Sequence, residues 1–311
     1  MARPARSCVS RGAAGPERAR WAVGARRPHV VIVSDLDGTL LDHATYAADP
    51  ASPVVARLVA EGVPLVLCSS KTRAEIEAIR NPLRIRHPFI VENGGALFLP
   101  AGYFPFPIDG TREADGYHVA EFGLPYRQVV AGLLEASGRL GIPVVGFHGM
   151  SVEEVARETG LSLEQARAAK ARAYDEPFRL AVEDADHEGR LCRALEAAGL
   201  RCVRGGRFLH VTGAADKGTA VTALAQLYRR VHEDVVTVGL GDGMNDRSLL
   251  GAVDVPIIVP NRAADPAGDL IRSLPEARVT DLEGPAGWAA AVRAVLEAPD
   301  RLAAGAARCQ P

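Results

Sequence analysis

Asp35-Leu36-Asp37-Gly38-Thr39-Leu40-Leu41-Asp42 lies one residue, Ser34, beyond the apolar, β-branched run Val30 to Val33, and the fold turns on how that junction is read. Such a run, flanked by Pro28 and by Ser34-Asp35, has the pattern of a buried strand ending in a turn. Two carboxylates one residue apart at a strand-to-loop turn can aim a side chain and a neighbouring backbone carbonyl at one metal-bound phosphate. A carboxylate can attack phosphorus and form an aspartyl-phosphate when a cation offsets the repulsion between anions, which is the part Asp35 can play. Asp37 is placed to protonate the departing oxygen and then to take a proton from the attacking water. Gly38 allows close backbone approach, and the Thr39 hydroxyl can fix a carboxylate or a phosphate oxygen. The same D-x-D-G pattern also occurs in ordinary turns and at the start of calcium-binding loops, so the rest of the chain has to decide.

A second acidic cluster, Gly239-Leu240-Gly241-Asp242-Gly243-Met244-Asn245-Asp246, closes another apolar run, Val235 to Val238. Two acids four apart at a glycine-rich strand end make an oxygen-rich half-site suited to Mg²⁺. Asp242 is the expected direct ligand, with Asn245 and Asp246 ligating or orienting it. Ser69, Ser70 and Lys71 end the run Val63 to Cys68, where a hydroxyl and helix N-terminal amides can hold phosphate oxygens. Capping of the next helix would explain the two serines equally well. Lys217, after Asp216 at the start of a helical pattern, can pair with Asp35 and the transferring phosphoryl group. Nucleophile, hydroxyl, lysine and acidic pair come in that order, each after a strand or at a helix start.

Short apolar runs (Val30 to Val33, Val63 to Cys68, Phe89 to Val91, Val235 to Leu240, Pro256 to Val259) alternate with helical patterns at Pro53 to Ala60, Thr72 to Arg80, Lys217 to Val231 and Pro285 to Glu297. That alternation predicts an α/β fold with a doubly wound, mostly parallel sheet. Residues 29–118 and 212–298 form the expected core, residues 119–211 an inserted α+β module, and residues 299–311 a tail. Within the insert, helices are expected at Pro125 to Leu140, Val152 to Glu158, Leu163 to Ala173 and Glu188 to Ala198. Ser151 with Glu154, and Ser162 with Gln165, have capping-box spacing, and Gly160 can stop the first helix of that pair.

At 311 residues with 48% apolar composition, the chain can bury a large core or two modules. Residues 1–28 hold seven Arg and one Glu but no apolar h-region, so they are expected to be a disordered basic extension or a start-site artefact, not a secretory signal. The rest of the chain is net acidic, which gives no reason to expect nucleic-acid binding. Cys8, Cys68, Cys192, Cys202 and Cys309 are odd in number and lack C-x-x-C spacing, which argues against a disulfide framework or zinc site and fits a reducing cytoplasm. No stretch approaches the ~20 apolar residues of a membrane span, so membrane-embedded aspartyl-phosphate pumps are set aside.

DLDGTLLD, the Ser69 position, Lys217 and GDGMND resemble the four motifs of the haloacid dehalogenase superfamily phosphatases, and the insert resembles their type II cap. SDLDGTLLD, SSKTRAEI, VENGGALF, YDEPF and HVTGAADKG together are similar to the mannosyl-3-phosphoglycerate phosphatases. The resemblance covers nearly everything from Val30 to Leu296. It implies a Mg²⁺-dependent phosphatase that produces the compatible solute mannosylglycerate; the sequence leaves monomer or dimer open. It also implies that Asp35 is nucleophile and ligand and that Asp37 is acid/base, with its carbonyl on the metal. Ser69 and Lys217 then hold phosphate, and Asp242 is a ligand supported by Asn245 and Asp246.

Substrate choice would come from the cap and rim. Glu92 and Asn93 can reach sugar hydroxyls, although Asn-Gly here equally suits a hairpin turn. In Tyr174-Asp175-Glu176-Pro177-Phe178-Arg179, Asp175 and Glu176 can bind hydroxyls and Arg179 can clamp a carboxylate bidentately, unless the stretch is an exposed edge strand. His148 and His210 are further rim candidates, and Arg204 and Arg207 can add positive field or simply flank a hairpin. Rival readings are another sugar phosphate, such as glucosyl-3-phosphoglycerate or sucrose phosphate, a phosphosugar mutase, or a non-catalytic sugar-phosphate-binding regulator. The presence of all four acids speaks against the last.

Overall fold

The computed structural model describes residues 28–205, 207–261 and 268–298. The expected basic extension, the tail, Cys8, Cys309 and Gly206 lie outside the described residues, apart from Pro28 at the extension's end. In chain order the strands are β1 (His29–Ser34), β2 (Leu65–Cys68), β3 (Phe89–Val91), β4 (Ala96–Pro100), β5 (Arg112–Ala114), β6 (Tyr117–Glu121), β7 (Val144–Gly146), β8 (Asp175–Leu180), β9 (Arg201–Arg204), β10 (Leu209–Thr212), β11 (Val235–Gly241), β12 (Val255–Ile258) and β13 (Arg278–Val279). The helices are α1 (Ser52–Glu61), α2 (Arg73–Arg80), α3 (Tyr126–Leu140), α4 (Val152–Thr159), α5 (Leu163–Lys170), α6 (Ala185–Ala197), α7 (Lys217–Arg229), α8 (Arg247–Gly251), α9 (Asp269–Ser273) and α10 (Gly284–Glu297).

The large sheet has the order β13-β12-β11-β1-β2-β3-β4-β6-β5, parallel from β13 to β3 and antiparallel beyond. Its central strands are apolar throughout because both faces are covered. Successive side chains of β1 alternate between layers: Ile32 packs with Leu58 and Trp288, while Val31 and Val33 pack with Leu224 and Tyr228. The fully buried Trp288 keeps its one donor satisfied by giving Nε1–H to Ser34 Oγ at 2.9 Å. Register does the functional work, since Ser34 stands beside both Leu240 and Leu67. The carboxyl ends of β1, β2 and β11 are therefore level, and the residues that follow them share one edge.

The inserted α+β cap has its own antiparallel sheet, β7-β8-β10-β9. Leu133 of α3 and Leu191 and Leu195 of α6 pack with Phe178, Leu209 and Val211 of that sheet. The α4–α5 hairpin packs Val155, Ala166 and Ala169 with Phe147 and Met150. Both expected capping boxes form, Ser151 with Glu154 and Ser162 with Gln165, and Gly160 ends α4 in the left-handed conformation. Among the described residues no helix is long and apolar enough to cross a membrane.

The structure corrects four expectations. Val119 lies on β6, paired with Phe98 in the large sheet, so the insert begins after Glu121 and not at residue 119. Its buried side chain fills the core and cannot be given up to the cap. The third insert helix candidate, Leu163 to Ala173, stops at Lys170, three residues early, because the amides of Ala173, Tyr174 and Asp175 are taken by the Glu92 carboxylate. β8 is an inner strand between β7 and β10, not an edge. Finally, Cys192 on α6 and Cys202 on β9 are disulfide-bonded, with Cα atoms 5.2 Å apart. The helix-to-strand reversal through Gly199 brings together positions ten apart, which local C-x-x-C spacing cannot register; Cys68 is buried and free.

Candidate active site

Asp35 is the first residue beyond β1, and its amide donates to Leu240 O at 2.9 Å, locking it beside β11. Asp242 follows β11 and Asp246 closes the turn after it. A carboxylate oxygen from each of Asp35, Asp242 and Asp246 lies within 4.8 Å of the others, all three residues buried. Lys217, fully buried at the start of α7, donates to Asp35 Oδ1 and to Asp246 Oδ1, both at 2.6 Å. Three buried anions thus face one ammonium.

The electrostatics follow from that imbalance. Burial and the Asp246 carboxylate push the Asp35 carboxyl well above its ordinary value, against the pull of Lys217. Burial and Asp246 push Asp242 up to about 7. Burial works against the Lys217 ammonium, but Asp246 and Asp35 outweigh it and hold its pKa well above the ordinary lysine range. A hard divalent cation fits this donor set: oxygen atoms only, close together, with an unbalanced negative charge. Asp246 is the poorest direct ligand of the three. Its Oδ1 serves Lys217, and its Oδ2 accepts the amides of Asp242 and Gly243 at 3.0 and 3.2 Å.

Around this centre, Thr39 Oγ1 donates to Asp242 Oδ1 at 3.0 Å and Asn261 Nδ2 donates to Oδ2 at 2.7 Å, which together fix the carboxylate. Gly38, at φ 85°, is required here, since a Cβ would stand 2.3 Å from Asn261 Nδ2 and 2.4 Å from Asp242 Oδ2. Asp37 Oδ2 pairs with Lys71 Nζ at 2.7 Å, while its Oδ1 is buried without a partner. The cavity above them, about 420 Å³, is of small-ligand size. Asp35, Asp37, Asp242 and Asn245 line its floor, Ser70 and Lys71 one side, and Phe147, Phe208 and His210 of the cap its roof. Ser69 is buried behind Ser70, its Oγ accepting the Lys71 amide at 3.3 Å.

Several expected substrate readers are committed elsewhere. Glu92 is buried with φ 48° and spends its carboxylate on the amides of Ala173, Tyr174 and Asp175, anchoring the chain segment that enters β8. Burial pushes its carboxyl up to about 7. Asn93 donates Nδ2–H to Asp175 Oδ2 at 2.6 Å, and the Glu92-Asn93-Gly94 turn makes the β3–β4 reversal that the Asn-Gly pattern allowed. Glu176 is fully buried in the cap, accepting from His148 N at 2.9 Å and from Tyr126 Oη at 2.6 Å, with His148 Nδ1 at 2.7 Å. Arg179 forks onto Glu158 at 2.8 and 2.7 Å and does not line the cavity. Adjacent strand residues face opposite sides, so Asp175, Glu176 and Arg179 could not all have pointed at one ligand. Arg204 pairs with Glu188 and Arg207 donates to Thr159 O at 2.8 Å, both at the cavity rim on the β9–β10 hairpin.

The sequence reading left out Asn261 and gave the Lys71 side chain no partner. Asn261 lies two residues past Val259, and a signal existed, because it follows the carboxyl end of a parallel strand. Lys71 was noted as closing β2, but its partner is 34 positions back in Asp37 and nothing local reveals it. Arg172, nearly fully buried, donates to Ser70 O at 2.9 Å and to Asp175 Oδ1 at 2.5 Å, tying cap to core.

Residues 32–100 match the family model of haloacid dehalogenase-like hydrolases. The chain is 42% identical over 260 residues to the glucosyl-3-phosphoglycerate/mannosyl-3-phosphoglycerate phosphatase of Methanococcoides burtonii, covering 83% of this chain and 94% of that one. It is 37% identical over 230 residues to the mannosyl-3-phosphoglycerate phosphatase of Pyrococcus furiosus, covering 74% and 90%. In fold it is similar to a haloacid dehalogenase-like hydrolase from Bacteroides thetaiotaomicron, with TM-score 0.59 at 17% identity over 86% of this chain and 99% of that one. Buried acids, bridging lysine and inserted cap agree with these likenesses, and the chain belongs to the glucosyl-3-phosphoglycerate/mannosyl-3-phosphoglycerate phosphatase family of the haloacid dehalogenase-like hydrolases.

Proposed function

We propose that this chain hydrolyses mannosyl-3-phosphoglycerate, and its glucosyl counterpart, to the glycosylglycerate and phosphate, through an aspartyl-phosphate on Asp35. The observation that carries the mechanism is Lys217 Nζ at 2.6 Å from both Asp35 and Asp246, buried beneath the cavity whose floor Asp35 and Asp37 line. The substrate reading is supported by the names of the relatives, and the glucosyl alternative by the double name of the M. burtonii enzyme.

Asp35 Oδ1 is held by Lys217, which leaves its other oxygen for in-line attack on phosphorus. Lys217 also neutralises charge that develops on the transferring phosphoryl oxygens. Asp37 gives its proton to the leaving glycerate oxygen and later takes one from the water that cleaves the acyl phosphate. Lys71, 2.7 Å from Asp37 Oδ2, holds that side chain in position for the transfer. Mg²⁺, held by Asp35 and Asp242 with the Asp37 carbonyl and Asn245 alongside, would supply charge neutralisation for the incoming phosphate. Thr39, Asn261 and Asp246 keep the Asp242 carboxylate and its loop in place. The cap roof excludes water while the ester is bound.

Phosphate release from the mannosyl and glucosyl esters, measured side by side with Mg²⁺ and with EDTA, tests the reading. Turnover of either ester that EDTA stops supports it, and no release from either one rejects it. Asp35→Asn should abolish release with the fold intact, and unchanged release in that variant ends the covalent scheme.

A further inference from the structure

The phosphate chemistry makes no use of a second buried pair in the roof of the cavity, His210 with Asp175. Asp175, fully buried at the start of β8, presents both carboxylate oxygens to His210 Nδ1, at 2.9 and 3.0 Å. Asn93 Nδ2 at 2.6 Å and Arg172 Nη2 at 2.5 Å hold the carboxylate from other directions. Burial disfavours its charge, but His210 and Arg172 prevail and hold the Asp175 carboxyl down at about 2. An ionised acceptor at Nδ1 keeps the proton on that nitrogen and fixes the ring, so Nε2 is the working atom. Among the described residues Nε2 makes no hydrogen bond, and His210 lines the same cavity as Asp35 and Asp242.

The neighbouring backbone keeps that nitrogen uncovered. Gly205 has no left-handed φ that would demand glycine, yet a Cβ there would stand 2.8 Å from His210 Nε2 and 2.9 Å from Cδ2. Any side chain at 205 would crowd the ring edge. Phe147 and Phe208 give the roof apolar faces that suit the carbon face of a sugar, with Nε2 a polar atom beside them and Arg204 and Arg207 at the rim. Asn93 belongs to the large-sheet domain and His210 to the cap, so the pair also ties ring orientation to the seating of the cap.

We infer that His210, oriented by Asp175, recognises the part of the substrate that is not transferred, its Nε2 hydrogen-bonding an oxygen of the glycosylglycerate leaving group. The inference rests on the hydrolase reading above. Asp175 is a positioning residue and His210 a specificity residue; neither takes part in the phosphoryl displacement.

The test compares kcat and KM for mannosyl-3-phosphoglycerate and for p-nitrophenyl phosphate, which lacks the glycosylglycerate, using the full-length Mg²⁺ enzyme. In His210→Ala the ratio of kcat/KM for the glycosyl ester to that for the aryl ester should fall by about 10–100-fold, through KM, the loss expected for one buried polar contact. His210→Gln, whose amide can reach a similar point, should recover part of that ratio. Asp175→Asn should lower the ratio in the same direction, and Gly205→Ala, whose methyl would press on the His210 ring edge without removing a polar group, should lower it too and keeps the test alive should Asp175→Asn fail to fold. Equal losses on both esters, or an unchanged ratio in His210→Ala, would overturn the inference alone. A wild-type enzyme that cleaves the aryl ester but neither glycosyl ester would overturn the substrate reading and this inference with it.

Discussion

Lys217 Nζ lies 2.6 Å from Asp35 Oδ1, although 182 positions separate the two residues in the chain. It is also within 2.6 Å of Asp246 Oδ1, so one buried ammonium offsets a cluster of three carboxylates. Removing a buried charge leaves its partners unpaired and typically costs about 3–5 kcal/mol. Lys217→Met should therefore lower Tm markedly in the presence of EDTA and lose most phosphate release even with Mg²⁺. Calorimetry alongside a phosphate assay checks this, and a variant as stable as wild type without metal would contradict the charge balance described here.

Divalent cation should stabilise the folded protein in the absence of substrate, because it relieves repulsion among Asp35, Asp242 and Asp246. Binding at a hundredfold over Kd is worth about 2.7 kcal/mol, which is a shift of several degrees in Tm. In Asp242→Asn that Mg²⁺-dependent shift should shrink or vanish. Thermal melts across a Mg²⁺ titration decide the matter without any activity readout.

Lys71 holds Asp37 Oδ2 at 2.7 Å while Asp37 Oδ1 is buried and unpartnered. If Asp37 is the general acid, releasing it from Lys71 should misplace it for every ester alike. Lys71→Met is expected to lower kcat by about 10–100-fold, the usual scale for general acid–base assistance, on glycosyl and aryl phosphates equally. A selective loss on the glycosyl ester would instead make Lys71 a substrate reader.

Glu92 makes folding depend on pH in a definite direction. Burial raises its carboxyl from 4.5 to about 7, so between those values the folded protein binds more protons than the unfolded chain. Stability from this group is fullest below pH 4.5 and declines as pH rises toward 7. Urea melts with saturating Mg²⁺, which quiets the acids of the metal centre, should show that decline, and Glu92→Gln should flatten it. A slope of the same steepness in the variant would assign the effect to other groups.

Much of this was legible in the linear chain. Asp35, Asp37, Asp242 and Asp246 sit immediately beyond apolar runs, and a parallel sheet necessarily gathers the ends of its strands on one edge. Capping boxes at Ser151 and Ser162 were equally plain, because the hydrogen bonds that define them span only three residues. The antiparallel extension β4-β6-β5 was not, since its strands carry mixed surface and core residues and their pairing is with distant chain. Lys71 with Asp37, and Asp175 with His210, were invisible as pairs for the same reason.

Read alone, then, the sequence determined where β1, β2, β3, β11 and β12 lie, most of the longer helices and which acids can do phosphoryl chemistry, because those are matters of local periodicity and functional-group type. Tertiary structure alone decided that Glu92, Glu176 and Arg179 are spent on the protein's own amides and ions, and that Cys192 meets Cys202. A side chain's partner depends on where the backbone carries it in space, and burial obliges each polar group to take the nearest satisfying neighbour, whatever its distance along the chain.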